Sequence, residues 1–215
     1  FGGGTRPIGV PVNGAPLSTS GISGIALYEP GALTLVVKAG TPVAEIEKVL
    51  ASENQRVAFE PMDHRGLLGT SGEPTIGGVF AANVSGPRRI QCGAARDFLL
   101  GFDAVSGRGE RFKSGGRVMK NVTGYDLSKL ICGSYGTLAV IDEVTIKTLP
   151  RPETSLSLLF ESDDMASAVA LIAGIFASSH EPGAAAILPQ PVAAAAGIDL
   201  AADFIVVIRL EGIAL

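Results

Sequence analysis

Between Pro61 and Gly93 a turn-forming residue recurs every few positions: Gly66, Gly69, Gly72, Pro74, Gly77, Gly78, Gly86, Pro87 and Gly93. A stretch this long with so little regular periodicity, inside a compact chain, is expected to wrap something rather than to lie idle. Ile76, Val79, Phe80 and Val84 are interspersed with the turn residues and argue for an ordered path. The chain carries 28 glycines in 215 residues, well above the ordinary share of about 7%. The backbone must therefore often turn sharply or approach another group closely.

Two glycine clusters stand out. A diphosphate needs several hydrogen-bond donors at once, and backbone amides supply them where no Cβ intervenes and φ can turn positive. Gly2-Gly3-Gly4-Thr5 meets that need, with the Thr5 hydroxyl as a further donor. Thr75-Ile76-Gly77-Gly78 meets it again, just before an apolar run that can begin a helix with free N-terminal amides. Taken singly, each cluster also reads as an ordinary tight turn. No G-x-G-x-x-G follows a strand and no Gly-Lys dipeptide occurs, so neither a Rossmann fingerprint nor a phosphate-binding Walker loop is present. Two separate clusters point instead to one long ligand held from several loops.

Other stretches carry the remaining structure. Leu33–Val37 is β-prone. Thr41 is placed to cap a helix running from Pro42 to about Glu53, with Val43, Ile46, Val49 and Leu50 on its apolar face. Phe98–Val105 and Glu110–Lys113 read as a hairpin turned at Ser106–Gly109. Asp126–Ile131 reads as a short helix stopped by Gly133. From Ile141 the sequence alternates, with Val144 and Ile146 on one side and Glu143, Thr145 and Lys147 on the other. Pro150 and Pro152 mark a boundary. Beyond it, Leu156–Phe160 reads as a strand, and a helix capped by Ser162-Asp163-Asp164 carries Met165, Ala168, Val169, Ile172 and Phe176. Phe204–Leu210 reads as a second strand, and strand–helix–strand order suggests an α/β sandwich.

Composition excludes several function classes. The net charge of −4 gives no electrostatic reason to bind nucleic acid or an anionic membrane. Cys92 and Cys132 lack the spacing of a zinc or iron–sulfur ligand set, and no metal site is expected. Reduced thiols of a cytoplasmic protein are the simpler reading. No apolar run reaches the roughly 20 residues needed to cross a bilayer. Phe1 opens directly into the first glycine loop without a signal peptide, and the chain reads as part of something longer.

Polar residues at further positions fit a bound cofactor. Lys120-Asn121-Val122-Thr123-Gly124-Tyr125-Asp126 and Gly133-Ser134-Tyr135-Gly136-Thr137-Leu138 combine dipolar groups, glycines and a following strand. Lys120 is suited to favour negative charge on a reduced ring, or equally to sit solvated at the surface. An arginine of Arg88-Arg89 or Arg96 fits a phosphate or a carboxylate, and structural ion pairs, including Arg96 with Asp97, fit as well. His64 and His180 read as surface histidines. Glu181 and Asp203 have no partner at a recognisable spacing. The acceptor patterns Asn83-Val84-Ser85 and Asn121-Val122-Thr123 read as chance matches.

In order, the chain presents Gly2-Gly3-Gly4-Thr5, Thr75-Ile76-Gly77-Gly78-Val79, Ala82-Asn83-Val84-Ser85-Gly86-Pro87-Arg88-Arg89, Gly93-Ala94-Ala95-Arg96-Asp97, Lys120–Leu127 and Gly133–Leu138. This series resembles the FAD-binding domain of the vanillyl-alcohol oxidase / p-cresol methylhydroxylase (PCMH-type) superfamily, and within it the flavin-binding subunits of glycolate oxidases. The resemblance implies an α+β fold. A PCMH-type domain of two α+β subdomains would occupy residues 1–152, and the start of a ferredoxin-like α/β sandwich residues 153–215. It implies that the Gly2–Thr5 loop and the Gly77-Gly78 turn hold the pyrophosphate of FAD. Thr75, Ile76, Asn83, Gly86, Arg89, Gly93, Asp97 and Lys120 join the cofactor-binding set. Gly124, Tyr125, Asp126, Gly133, Ser134, Gly136 and Thr137 would line the flavin, and Val140 and Ile141 would turn backbone atoms towards the adenine or the ring. Relatives with covalent flavin carry a histidine in the first loop; Thr5 stands there here, so non-covalent FAD is implied.

The implied activity is that of a flavin subunit of a glycolate or D-lactate dehydrogenase complex. A 2-hydroxy acid would give hydride to the flavin, and electrons would leave through an iron–sulfur subunit beside a second flavoprotein subunit. Such a complex would be cytoplasmic, with any peripheral membrane association made through its partners. A self-contained FAD-dependent alcohol oxidase, a nucleotide-sugar reductase and a structural subunit with a vestigial flavin site are the alternatives. The family also has a strand and helix ahead of the first glycine loop and a longer C-terminal domain, so no catalytic residue is assigned.

Overall fold

The computed structural model describes residues 1–7, 9, 13–117 and 124–214. The chain divides into two compact units. One comprises Phe1–Arg89 and Gly93–Arg151; the other comprises Ile90–Cys92 and Pro152–Leu215.

In the larger unit the elements run β1 (Ile25–Glu29), β2 (Thr34–Lys38), α1 (Val43–Ser52), β3 (Gln55–Arg56), α2 (Arg65–Leu68), α3 (Ile76–Ala82), α4 (Arg89–Cys92, which passes into the second unit), α5 (Ala95–Phe98), β4 (Leu99–Ser106), β5 (Arg111–Gly115), α6 (Leu127–Ile131), β6 (Ala139–Lys147) and β7 (Leu149–Pro150). Five strands form one antiparallel sheet in the order β1-β2-β6-β4-β5, and β3 pairs with β7. The β4–β5 hairpin turns where the residue pattern places it. The Ser106 hydroxyl accepts from the Arg108 and Glu110 amides, and Gly109 takes a φ of +79°.

The core is built on α1, α3 and the inner strands. Val43, Ile46 and Leu50 bury one face of α1, as the 3.6-residue spacing requires, and Val49 is half-buried. Phe59 is fully buried between Phe80 and Phe98, with ring centroids 5.7 and 5.4 Å away. β6 departs from simple alternation. Its register against β4 slips between Asp103↔Glu143 and Ala104↔Ile141. This inserts Asp142 as an extra residue, so Ile141 and Val144 are both buried. Thr145, expected on the exposed face, is buried as well.

Thr41 does not cap α1. The helix starts at Val43 after Pro42, and the Thr41 side chain turns the other way into the fold. It is fully buried; its Oγ1 accepts from the Gly24 N–H at 2.8 Å and donates to the Gly24 carbonyl at 3.3 Å. The hydroxyl thus fastens the chain ahead of β1 to the end of β2, a tertiary use that local spacing does not disclose.

The smaller unit contains β8 (Thr154–Ser162), α7 (Met165–Phe176), β9 (Ala184–Pro189), α8 (Gln190–Ala195) and β10 (Phe204–Gly212). Its sheet is antiparallel in the order β8-β10-β9. Asp164 caps α7, accepting from the Ser167 N–H at 2.9 Å. Ala168, Val206 and Ile208 centre a core that Leu158, Phe160, Leu171, Ile172 and Ile187 complete. The alanine run at Ala193–Ala196 forms the last residues of α8 and its C-cap. Among the described residues no helix is long and apolar enough to cross a membrane.

Thr41→Val keeps the shape of the side chain but leaves the Gly24 amide without its partner, while the Gly24 carbonyl keeps the Lys38 N–H at 3.0 Å. It is expected to cost about 1–3 kcal/mol, seen as a lower urea midpoint at unchanged m-value; an unchanged midpoint would show that the hydroxyl does not hold this joint.

Candidate functional site

A seam of main-chain hydrogen bonds places the site. After β2, Ala39 accepts from the Gly77 N–H at 2.8 Å, Thr41 accepts from Ile76 at 3.0 Å, and Pro74 accepts from Val43 at 2.9 Å. This seats the start of α3 directly on the end of β2. Gly77 is required by the contact, because an ideal Cβ there would stand 2.7 Å from the Ala39 Cβ. Thr75 caps α3 and accepts from the Gly78 N–H at 3.3 Å. The first amides of α3 are therefore already engaged inside the protein. They are not the free donors that the Thr75–Gly78 pattern led one to expect.

The first glycine loop lies against the residues just before α3. A Cβ on Gly2 would fall 2.4 Å from Thr75 Oγ1, and one on Gly3 would fall 1.5 Å from the Glu73 carbonyl oxygen. A Cβ on Gly72 would fall 1.6 Å from the Gly3 carbonyl oxygen. Two stretches of bare backbone are thus in direct contact. Gly4 differs: nothing stands within 4 Å of its notional Cβ, and glycine is required there by a φ of +66°. The Thr70 hydroxyl donates to the Thr5 carbonyl at 2.8 Å and ties down the loop's end. Among the described residues, the N–H groups of Gly3, Gly4, Thr5 and Arg6 have no acceptor.

At the other end of α3, its carbonyls hold the turn before β6. The Gly133 N–H donates to Phe80 at 3.0 Å, and the Tyr135 N–H donates to Ala81 at 2.7 Å. Gly133, Tyr135 and Gly136 all have positive φ, at 87°, 54° and 76°. β6 then extends past its neighbour. It pairs with β4 from Ala139 to Ile146, but its ladder with β2 stops at Glu143. Only the Ala39 N–H to the Asp142 carbonyl continues that pairing, so the edge of Ala139–Ile141 on that side has no strand beside it among the described residues.

These pieces surround one cleft of about 360 Å³, within the roughly 300–1,000 Å³ typical of small-molecule sites. Of the residues expected to hold a cofactor, Gly2, Gly3, Gly4, Thr5, Thr75, Gly77, Gly78, Gly136, Val140 and Ile141 line it. Ile76 is fully buried behind Thr75. The cleft also takes in Arg6, Met62, His64, Ala81, Ala82, Val84 and Tyr135, which sequence reasoning left out of the set. The α3 members were within reach, since Gly78, Ala81 and Ala82 share one helix face at i, i+3, i+4 spacing. Arg6 and His64 carried no such signal. Among the described residues no Asp or Glu lines the cleft.

The remaining expected residues lie elsewhere in the same unit, around α5 and α6. Asn83, at a φ of +50°, ends α3; its Oδ1 accepts from the Arg96 N–H at 3.0 Å and from the Cys132 thiol at 3.5 Å. Gly86 donates to the Phe59 carbonyl, and a Cβ there would meet the Glu60 carbonyl at 2.3 Å. Arg89 is exposed, and its carbonyl accepts from Gly93, whose φ is +95°. Asp97 accepts from the Ala94 N–H at 2.9 Å and from Lys129 Nζ at 2.7 Å. The Lys129 hydrogen bond, with the Ala94 amide, holds its carboxyl below the usual range. Burial pushes the Cys132 thiol up to about 12, so it stays protonated. Gly124 has a φ of +83°, Tyr125 is 91% exposed, and Asp126 caps α6 through the Lys129 N–H. The Thr137 hydroxyl donates to the Ser134 carbonyl; the Ser134 hydroxyl oxygen is buried without a partner among the described residues. Lys120, with Asn121, Val122 and Thr123, falls outside the described residues.

Residues 1–115 match the family described as FAD binding domain. The chain is 45% identical over 151 residues to glycolate oxidase subunit GlcE of Escherichia coli, covering 70% of this chain and 41% of that one. It is 31% identical over 159 residues to glycolate oxidase subunit GlcD of Bacillus subtilis, covering 74% and 32%. It thus spans less than half the length of either relative. In three dimensions it is similar to alkyldihydroxyacetonephosphate synthase, with a TM-score of 0.68 at 19% identity over 89% of this chain and 37% of that one. That likeness shows a shared α+β fold.

Two outcomes follow from this geometry. Gly3→Ala should force the first loop off the Gly72–Thr75 segment, seen as faster proteolysis within residues 1–7 while the far-UV spectrum is kept; cleavage at the wild-type rate would show that the loop accepts a side chain. Asp97 has a depressed folded pKa, so its stabilisation is present above the ordinary carboxylate value of about 4 and is lost as pH falls through the lower, folded value. The melting temperature of Asp97→Asn should therefore fall less steeply with acidification than that of the wild type, and parallel curves would remove Asp97 from the acid response.

Proposed function

The chain belongs to the family of FAD binding domains, and from that premise we propose that it is the flavin-binding portion of a 2-hydroxy-acid dehydrogenase, holding FAD non-covalently in the cleft between the first glycine loop, α3 and the free edge of β6. The observation that carries this reading is that, among the described residues, the N–H groups from Gly3 to Arg6 have no acceptor and no carboxylate lines the cleft they border. Main-chain donors in such a loop suit a diphosphate, and a lining free of negative charge does not oppose it. The small face of α3 at Gly78, Ala81 and Ala82 leaves room for a flat ring, and the open edge at Ala139–Ile141 offers main-chain groups to a heterocycle.

The residues present thus fit the cofactor. Gly3, Gly4, Thr5 and Arg6 would hold the diphosphate; Gly136, Val140 and Ile141 would border a ring. Thr5 occupies the loop position that would need a histidine for covalent attachment. Asn83, Gly86, Gly93 and Asp97 act one layer back, fixing the end of α3 against α5 and α6.

The similarity to glycolate oxidase subunits supports glycolate, a small 2-hydroxy acid, as the substrate, and D-lactate belongs to the same chemical class. When bound, FAD supplies the hydride acceptor for oxidation of the hydroxyl-bearing carbon. The chain contributes binding, orientation and a site lining without anions. The relatives' names as subunits support a complex, in which electrons would pass to an iron–sulfur partner subunit beside a second flavoprotein subunit in the cytoplasm.

Purified chain mixed with FAD and desalted should retain a flavin absorption band, and acid precipitation should release all of it to the supernatant. Colour left in the pellet would contradict non-covalent attachment. Failure to retain any FAD would overturn the assignment of the cleft. Anaerobic bleaching of that band by glycolate or D-lactate, in the complex with its partners, tests the substrate class.

A further inference from the structure

Arg6 and Tyr135 meet across the cleft, although they come from segments 129 positions apart in sequence. The Arg6 guanidinium carbon lies 5.8 Å from the centroid of the Tyr135 ring, within the range of a cation–π contact. Both residues line the cleft, and among the described residues Arg6 is the only lysine or arginine that does. It has no carboxylate partner among the described residues. The neighbouring Arg65 behaves differently, since it is bound to both Asp63 and Glu73. An arginine left without an anion, on a loop whose amides are also unpaired, has capacity for an anion from outside the protein.

Tyr135 is held for this contact. Its backbone has a φ of +54°, unusual for a residue with a bulky side chain. The Ala81 carbonyl, at the end of α3, fixes its N–H at 2.7 Å. The ring is nonetheless half-exposed rather than packed in the core. A strained backbone that presents an aromatic ring to a cleft points from geometry to function.

We propose that Arg6 is the side-chain ligand of the cofactor's diphosphate and that Tyr135 is its positioning residue, the two forming a clasp across the mouth of the cleft. The guanidinium adds charge-assisted donors to the main-chain donors of Gly3, Gly4 and Thr5. Stacking on the ring keeps it over the cleft rather than in solvent, so less side-chain freedom is lost when the anion arrives. This rests on the reading of the cleft as the FAD site.

The test measures FAD dissociation constants by quenching of flavin fluorescence, from low to high sodium chloride, on the full chain. Wild-type binding should weaken as salt rises. Arg6→Gln should bind about tenfold more weakly at low salt and lose most of the salt dependence. Tyr135→Phe retains the ring face and should bind like the wild type, whereas Tyr135→Leu should weaken binding several-fold. Thermal melting of each variant confirms the fold. Arg6→Gln with wild-type affinity, or weaker binding with an undiminished salt response, would overturn the clasp while leaving the cleft assignment standing. No FAD uptake by the wild type would instead overturn the cleft assignment, and the clasp with it.

Discussion

The seam between the end of β2 and the start of α3 is the joint on which the rest of the site depends. Three main-chain hydrogen bonds join Ala39–Val43 to Pro74–Gly77, and each is possible only because the backbones are this close. The joint fixes α3 relative to the five-stranded sheet. α3 in turn sets both ends of the cleft: the residues before it receive the first glycine loop, and the carbonyls at its far end hold the turn that carries Tyr135. Side chains at Gly3, Gly72 or Gly77 would strike backbone or Cβ atoms of the facing segment. A protein interior has no slack to absorb such contacts without moving one segment off the other.

Glycine serves a second purpose beside the one that its clustering first suggests. The expected role is to let a ligand's phosphate approach bare backbone. Gly2, Gly3, Gly72 and Gly77 also let one protein segment approach another. The donors left for a ligand are those of the Gly3–Arg6 stretch, freed because the loop is pinned by contacts to its carbonyls and its bare Cα atoms rather than through its amides. The α3 amides were expected to serve and do not, because Ala39, Thr41 and Thr75 already accept from them.

Much of the fold was legible because it rests on local periodicity. α1, the β4–β5 hairpin, α6, α7 and β10 all follow spacing and turn residues within a few positions. What escaped notice depends on partners distant in sequence. Thr41 has the look of an N-cap, and only the position of Gly24 shows why its hydroxyl is buried instead. The extra residue at Asp142 breaks an alternation that the sequence presents as regular. β9 and α8 are built largely from alanine, proline and single branched residues, with no period strong enough to mark them. For the site, the glycine loops and the Val140-Ile141 strand were visible as motifs and converge on one cleft. Asn83, Gly93 and Asp97 belong to the same motif series but line no part of it, because a motif records what a region needs in order to fold as well as what it binds.

Charge around the cleft follows from that same division of labour. Carboxylates occur close by in sequence, at Asp63, Glu73 and Asp97, and each is met by a basic side chain: Arg65 for the first two, Lys129 for the third. The Arg65 hydrogen bond depresses the Asp63 carboxyl, and the Lys129 hydrogen bond depresses that of Asp97, so both stay ionised in place. Exposed pairs of this kind add little to stability, and their larger effect is on the local field. With these carboxylates met by basic side chains and, among the described residues, none lining the cleft beside Arg6, the lining is left short of negative charge. The larger unit carries 16 lysines and arginines against 13 aspartates and glutamates, so the acidic excess behind the chain's net charge of −4 lies in the smaller unit. The unit that holds the cleft therefore does not repel a diphosphate as a whole, and the placement of its carboxylates keeps the lining itself open to an anion.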